Sequence, residues 1–228
     1  MAKKTNQTES KQTSKQITEV VFILDKSGSM CGMEEDTIGG FNSFIEKQKK
    51  EDCDTLVTTV LFSTDYVVLH DRVNIDEIEP LTEKDYRTGG GTALLDAIGR
   101  TINTIDIIQK HIRKEDMPGK TIVVITTDGM ENASRHYSYF MIKELIEEKQ
   151  RDADWTFLFL ADNIDAAEQA GRIGIAKKYA ANYDTKQETR MMYDTVAMCC
   201  RLDTNEVDLS ELIEKNRGDS KNKKTNKK

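Results

Sequence analysis

Three apolar runs, each ending in an aspartate, constrain this chain more than any other feature. Val20-Val21-Phe22-Ile23-Leu24 runs into Asp25, Thr121-Ile122-Val123-Val124-Ile125-Thr126-Thr127 into Asp128, and the run from Trp155 to Ala161 into Asp162. Uninterrupted runs of this length, rich in β-branched and aromatic residues, suit strands buried on both faces. Helical patterns separate them. Ile38, Phe41, Phe44 and Ile45 recur at spacings of three and four, as do Leu94, Leu95, Ile98, Ile102, Ile105 and Ile108. That spacing marks amphipathic helices. Strands alternating with helices predict an α/β protein: a doubly wound, mostly parallel sheet with helices on both faces.

The remaining segments fill in this plan. Thr55 to Ser63 and Tyr66 to Val73 read as a hairpin, whose second strand is the one antiparallel edge strand. Residues 74–88 are acidic and irregular. Tyr137 to Gln150 reads as a helix with Phe140, Met141, Leu145 and Ile146 as its apolar face. A short helix is expected over about Asp165 to Gly171, a short last strand between Ala176 and Tyr183, and a final helix over Lys186 to Leu202 with Met192, Val196 and Cys199 or Cys200 inward. Leu209, Leu212 and Ile213 suggest one further amphipathic turn.

Charge divides the chain. The segments 1–16 and 217–228 carry +3 and +5 of a net −7, which leaves −15 on residues 17–216. We therefore expect a basic disordered arm over 1–16, one domain over 17–202, a short helical extension over 203–216 and a basic disordered tail over 217–228. An acidic body favours bound cations and disfavours nucleic acid. No apolar run approaches a membrane span, and no secretory pattern opens the sequence, so a cytoplasmic protein is expected. Cys31, Cys53, Cys199 and Cys200 form no CxxC pair or metal-ligand spacing and read as free thiols.

In a doubly wound sheet, ligands bind outside the carboxyl ends of the strands, where the strand order reverses. If the strands ending at Asp25 and Asp128 are neighbours there, three loops converge: Asp25-Lys26-Ser27-Gly28-Ser29, Gly90-Gly91-Thr92 and Thr127-Asp128-Gly129. They offer two carboxylates and three hydroxyls. These are hard oxygen donors, suited to Mg²⁺, Ca²⁺ or Mn²⁺ rather than zinc. Taken alone, Asp25-x-Ser27-x-Ser29 also fits a helix N-cap cluster. Gly89-Gly90-Gly91 lacks the following Gly-Lys-Ser/Thr of a phosphate loop. Asp162 sits near the same edge, at the rim or, as the preferred reading, as the cap of the next helix.

This pattern resembles the metal-ion-dependent adhesion site (MIDAS) of von Willebrand factor A domains: Asp-x-Ser-x-Ser, a distant Thr, then a distant Asp after a buried strand. The resemblance covers about residues 17–200. It implies that Ser27 and Ser29 ligate the ion directly, that Thr92 does so in the ligand-competent state, and that Asp25 and Asp128 hold coordinated waters and orient the serines. It further implies Mg²⁺ with one open position, filled by a Glu or Asp carboxylate of a protein partner. The expected function is that of a metal-dependent binding module, monomeric when isolated and not an enzyme. Bacterial and phage members of this kind suggest a stress-response setting or one beside AAA+ ATPases. The rival expectation is a Mg²⁺-dependent phosphotransferase or phosphatase. Against it, the position two residues after Asp25 is Ser27 rather than a second carboxylate. A third reading is an A domain whose site is functionally silent.

Overall fold

The computed structural model describes residues 17–51, 53–162, 164–183, 186–202, 208–209 and 211–213, with no side-chain description for 186 and 187. The arm 1–16, most of the extension 203–216 and the tail 217–228 lie outside the described residues. Six strands form one sheet: β1 (Thr18–Asp25), β2 (Thr55–Phe62), β3 (Tyr66–Asn74), β4 (Lys120–Thr127), β5 (Trp155–Ala161) and β6 (Ala180–Asn182). Their order is β3-β2-β1-β4-β5-β6. All pairings are parallel except β2 with β3, which supplies the expected antiparallel edge. β1 pairs with β2 on one side and β4 on the other, so Leu24 stands between Leu61 and Thr126. The order reverses between β1 and β4, and the crevice at their carboxyl ends is the switch point.

Every residue of β1 is buried. Its side chains alternate between two cores, as strand geometry requires. Val20, Phe22 and Leu24 face α1 (Glu34–Gln48) and α5 (Lys186–Cys199), while Val21 and Ile23 face α2 (Leu94–His111), α3 (Tyr139–Asp152) and α4 (Ala166–Arg172). α1 and α5 approach closely at Gly40, where a Cβ would stand 2.4 Å from the Tyr193 ring. A glycine that weakens the helix by itself is what admits this contact. Leu209, Leu212 and Ile213 are buried on the same side.

Two expectations change. Of the expected inward face of α3, Ile146 is in the core and Leu145 packs against it, whereas Phe140 and Met141 do not. Phe140 and Met141 are exposed, Leu145 is half-buried, and the stripe at spacings of four and three is Ile142, Ile146 and Lys149. Lys149 is buried because its Nζ meets Asp106 Oδ1 at 2.8 Å and Glu148 Oε1 at 2.9 Å, a long-range partnership that helical periodicity does not display. Secondly, residues 74–88 are more than an irregular connection: Ile75, Ile78, Leu81 and Tyr86 are core side chains on the α1 face. No helix among the described residues is long and apolar enough to cross a membrane.

Candidate metal centre

The end of β1 delivers Asp25 into the switch-point crevice. The following loop turns back on it: Ser27 N donates to Asp25 Oδ1 at 2.7 Å. Across the sheet, Thr127 at the end of β4 donates its hydroxyl to Asp25 Oδ2 at 2.6 Å. Tyr86 donates its phenolic hydroxyl to the Asp25 carbonyl. Backbone bonds then join the first loop to the glycine loop: Gly28 N to Gly90 O at 3.0 Å and Gly89 N to Lys26 O at 2.8 Å. Gly90 adopts φ +83°, and a Cβ there would stand 2.9 Å from Thr64 Oγ1. Both facts favour glycine.

This closure brings the hydroxyls together. Thr92 Oγ1 donates to Ser27 Oγ at 3.0 Å, and the Ser27 and Ser29 oxygens are 3.0 Å apart. Ser27 and Thr92 are buried, whereas Ser29 is open to solvent. Asp128 is buried at the end of β4 and leaves Oδ1 without a hydrogen-bond partner. All five residues singled out from the sequence thus converge on the carboxyl ends of β1 and β4. Lys26 turns aside to pair with Asp65 at 2.9 Å. Asp162 lies close enough to Asp128 for their charges to interact, but the cap of α4 is Asp165, which accepts from Glu168 N. The expectation that Asp162 caps this helix is corrected accordingly: the helix begins three residues later, at the next aspartate.

The electrostatics are one-sided. Burial pushes the Asp25 carboxyl above its ordinary value, opposed by the bonds from Thr127 and Ser27, with the Asp128 charge adding to the rise. Burial also raises Asp128, opposed by a hydrogen bond from Ser29 and reinforced by Asp162. No ion pair among the described residues reaches either carboxylate. Two buried carboxylates beside three hydroxyls, one carboxylate oxygen unpartnered, form an all-oxygen set deficient in positive charge. Such a set fits a hard divalent cation. The packing at Gly129 is consistent, since a Cβ there would stand 2.7 Å from Ser29 Oγ and 3.2 Å from Thr92 Oγ1. Among the described residues no group of three His, Cys, Asp or Glu side chains gathers that could hold a metal. The hydroxyls must therefore carry much of any coordination here.

A second polar layer, which the sequence reading missed, holds Thr92 in place. Thr92 N donates to Asn132 Oδ1 at 2.9 Å, and Asn132 N returns a bond to Thr92 O at 3.0 Å. Glu131 accepts from Leu95 N, Ala133 N and Ser134 N. Asp96 in turn accepts from the backbone N–H groups of Arg135, His136 and Tyr137, each at 2.9 Å. The only sequence signal was the polar Glu-Asn-x-Ser string directly after Asp128-Gly129-Met130.

Solved structures share this architecture. Proximal thread matrix protein 1 from the mussel byssus, in a form with zinc occupying its MIDAS motif, aligns over 82% of this chain and 46% of its own at 15% identity and TM-score 0.57. A von Willebrand factor type A structure from Catenulispora acidiphila aligns over 82% and 43%, at 12% identity and TM-score 0.59. The ArnB paralog VWA2 from Sulfolobus acidocaldarius aligns over 79% and 44%, at 16% identity and TM-score 0.51. The chain has the von Willebrand factor A fold. At these identities the likeness of the A domains speaks for architecture alone. The chain spans less than half the length of each of these structures. No protein-family model matches the sequence, and no curated protein matches it.

Proposed function

We propose that this A domain is a metal-dependent protein-binding module rather than an enzyme. Ser27, Ser29 and Thr92 supply hydroxyl ligands to one hard divalent cation, Mg²⁺ in preference to Mn²⁺ or Ca²⁺. Asp25 and Asp128 orient those hydroxyls and hold the ion's waters. The bound ion would supply an electrophilic centre for an anionic oxygen, and the partner's Glu or Asp carboxylate is the group that completes its shell. The observation that carries this reading is the pair of buried carboxylates at the switch point with no cation partner among the described residues. The mussel structure with zinc in its MIDAS supports metal binding on this architecture in general terms. Ser27 beside Asp25, in place of a second acid, speaks for binding over phosphoryl transfer.

The test is calorimetric titration of Mg²⁺ and Mn²⁺ into chelator-treated protein, with Asp25→Ala and Asp128→Ala alongside. Saturable binding that both substitutions abolish is the expected result. A wild-type chain that takes up neither ion at millimolar concentration overturns the reading. Mg²⁺-dependent phosphoesterase turnover by the wild type, lost in Asp25→Ala, would favour the enzymatic alternative.

A further inference from the structure

The two aspartates of the candidate metal centre are held unequally. Asp25 has donors on both carboxylate oxygens, and Tyr86 donates its hydroxyl to the Asp25 carbonyl. Asp128 leaves Oδ1 without a hydrogen-bond partner among the described residues. A second buried phenol is in the same condition. Tyr183, just past β6, is 2% exposed, and its hydroxyl has no hydrogen-bond partner among the described residues. We propose that Tyr183 is the positioning residue of Asp128, its hydroxyl reaching Oδ1 through one ordered water. The proposal rests on the reading of the site given above.

The sheet register places these two groups in one row. Thr127 pairs with Ala161, and Ala161 with Asn182. The ladder continues one residue further: Asp162 N donates to Thr127 O at 3.2 Å, and Tyr183 N to Ala161 O at 3.0 Å. Asp128, Asp162 and Tyr183 therefore follow one another across the carboxyl edge, two strand spacings or about 9.6 Å from first to last. Alternation puts them on one face as well. Ile122 and Val124 of β4, Leu158 and Leu160 of β5, and Ala181 of β6 lie in the core under α1 and α5, and Tyr183 lies there with them. Asp128 and Asp162 continue the same alternation.

The two groups are also complementary. A phenol donates and a carboxylate oxygen accepts. Burial pushes the Tyr183 phenol well above its ordinary value, and Tyr193, Tyr86, Asp162 and Asp128 are all near enough to add to the rise, so it remains a donor at any ordinary pH. Tyr193, the buried phenol of α5 on this face, has its hydroxyl facing that of Thr126 instead. A buried hydroxyl and a buried carboxylate oxygen left unpaired each cost free energy. An internal water with roughly two to four polar partners removes both costs. Tyr183 is set firmly enough to serve. Its neighbour Asn182 donates to Ala161 O and Ile164 O and accepts from Ala166 N, which ties the end of β6 to the segment after β5. Because the carboxylate it braces holds the ion's waters, loss of the hydroxyl acts on ion affinity and not on the fold alone.

The test pairs two measurements on the full chain. In calorimetric Mg²⁺ titrations Tyr183→Phe should bind about tenfold more weakly than wild type, the scale expected of a group that braces a metal-site carboxylate. Tyr193→Phe, which removes an equally buried phenol hydroxyl from the same face, should stay within about twofold of wild type. The second measurement needs no metal: denaturant melts in chelator of Tyr183→Phe, Asp128→Ala and the double variant. The midpoint shift caused by Tyr183→Phe should fall by at least about half in the Asp128→Ala background, because linked groups do not act additively. A phenol that only fills space gives additive shifts and an unchanged Mg²⁺ affinity. Either of those results overturns the proposal and leaves the metal reading intact. Equal weakening of Mg²⁺ binding by Tyr193→Phe would assign the effect to the packing of this face and also overturns it. A wild-type chain that takes up no Mg²⁺ at millimolar concentration overturns the metal reading and, with it, the role of Tyr183 at the ion.

Discussion

Glu19 near the start of β1 and Asp25 at its end are both fully buried carboxylates on the same face of one strand. Burial raises the pKa of each. Their surroundings differ. Glu19 Oε1 lies 2.9 Å from Arg72 Nε on β3, and its Oε2 accepts from Gln109 Nε2 at 2.8 Å. Gln109 extends the network to Thr121 and Trp155. Asp25 has hydrogen-bond donors on both oxygens and no cation partner among the described residues. An unpaired buried charge costs several kcal/mol even after relaxation. The amino end of the strand meets that cost inside the protein, and what remains is a structural network. The carboxyl end leaves it open, beside a second carboxylate and a set of hydroxyls. The difference separates a buried acid paired inside the protein from one that meets no cation among the described residues.

The strongest way to break the comparison is to make the amino end resemble the other. Arg72→Met leaves Glu19 buried without its cation, and should cost about 3–5 kcal/mol at neutral pH. The pH dependence identifies the cause. Burial raises the folded-state pKa of Glu19 above 4.5, with Gln109 and Arg72 opposing the rise, and loss of Arg72 raises it further. The folded state then binds the proton more tightly than the unfolded one. The deficit is therefore present above the folded pKa and shrinks as pH falls through it toward 4.5. Denaturant melts across this range check the sign. A deficit independent of pH would mean that lost packing, not stranded charge, is responsible. Mg²⁺ affinity should stay within twofold of wild type.

The converse substitution acts at the other end. Asp25→Asn removes a buried charge that has no cation partner among the described residues, so the chelator-treated variant should melt no lower than wild type. Its gain from Mg²⁺ should disappear. At a concentration one hundred times its Kd, the ion stabilises wild type by about 2.7 kcal/mol, roughly 5–10 °C for a domain of this size. Thermal melts with and without Mg²⁺ measure both effects. A variant that is less stable in chelator would show that Asp25 acts at the site chiefly as a structural acceptor.

The comparison also shows what a sequence makes legible. β1, β4 and β5 are continuous apolar runs, and a buried parallel strand needs no partner's identity to be read. Asp25, Ser27, Ser29, Thr92 and Asp128 were legible because each lies directly beside such a strand or at the glycine loop before α2. The network around Glu19 was not, since its partners on β3 and α2 are distant in sequence and Arg72 on an edge strand reads as a solvated charge. Half of the α3 face was misread for the same reason: Ile146 and Leu145 face the core, but Lys149 occupies a core position through Asp106, while Phe140 and Met141 lie outside. Tyr86, Glu131 and Asn132 support the site from segments with no periodicity. Periodicity reports burial against a generic core. It does not report specific long-range polar pairing, which is where much of this site's second layer resides.

The smallest expected effect distinguishes two kinds of hydroxyl at the carboxyl end. Thr127 Oγ1 donates to Asp25 at 2.6 Å. Tyr193, on α5, is fully buried, with its ring stacked on Phe22 at 6.0 Å and its hydroxyl facing that of Thr126. Burial pushes its phenol up to about 12, so it is neutral at any ordinary pH. Thr127→Val should cost about 1.5–3 kcal/mol, because it strands a carboxylate oxygen. Tyr193→Phe keeps the ring in its place between Gly40 and Phe22 and removes only a neutral hydroxyl that faces Thr126. Its stability should change by no more than about 1 kcal/mol. Denaturant melts of the two variants in chelator read the contrast directly. If Tyr193→Phe proves the costlier change, its hydroxyl has a further partner beyond Thr126, such as an ordered water. The carboxyl end would then contain a polar link between α5 and the site, and its buried polar groups would be less exposed to unmet demand than Asp128 Oδ1 implies.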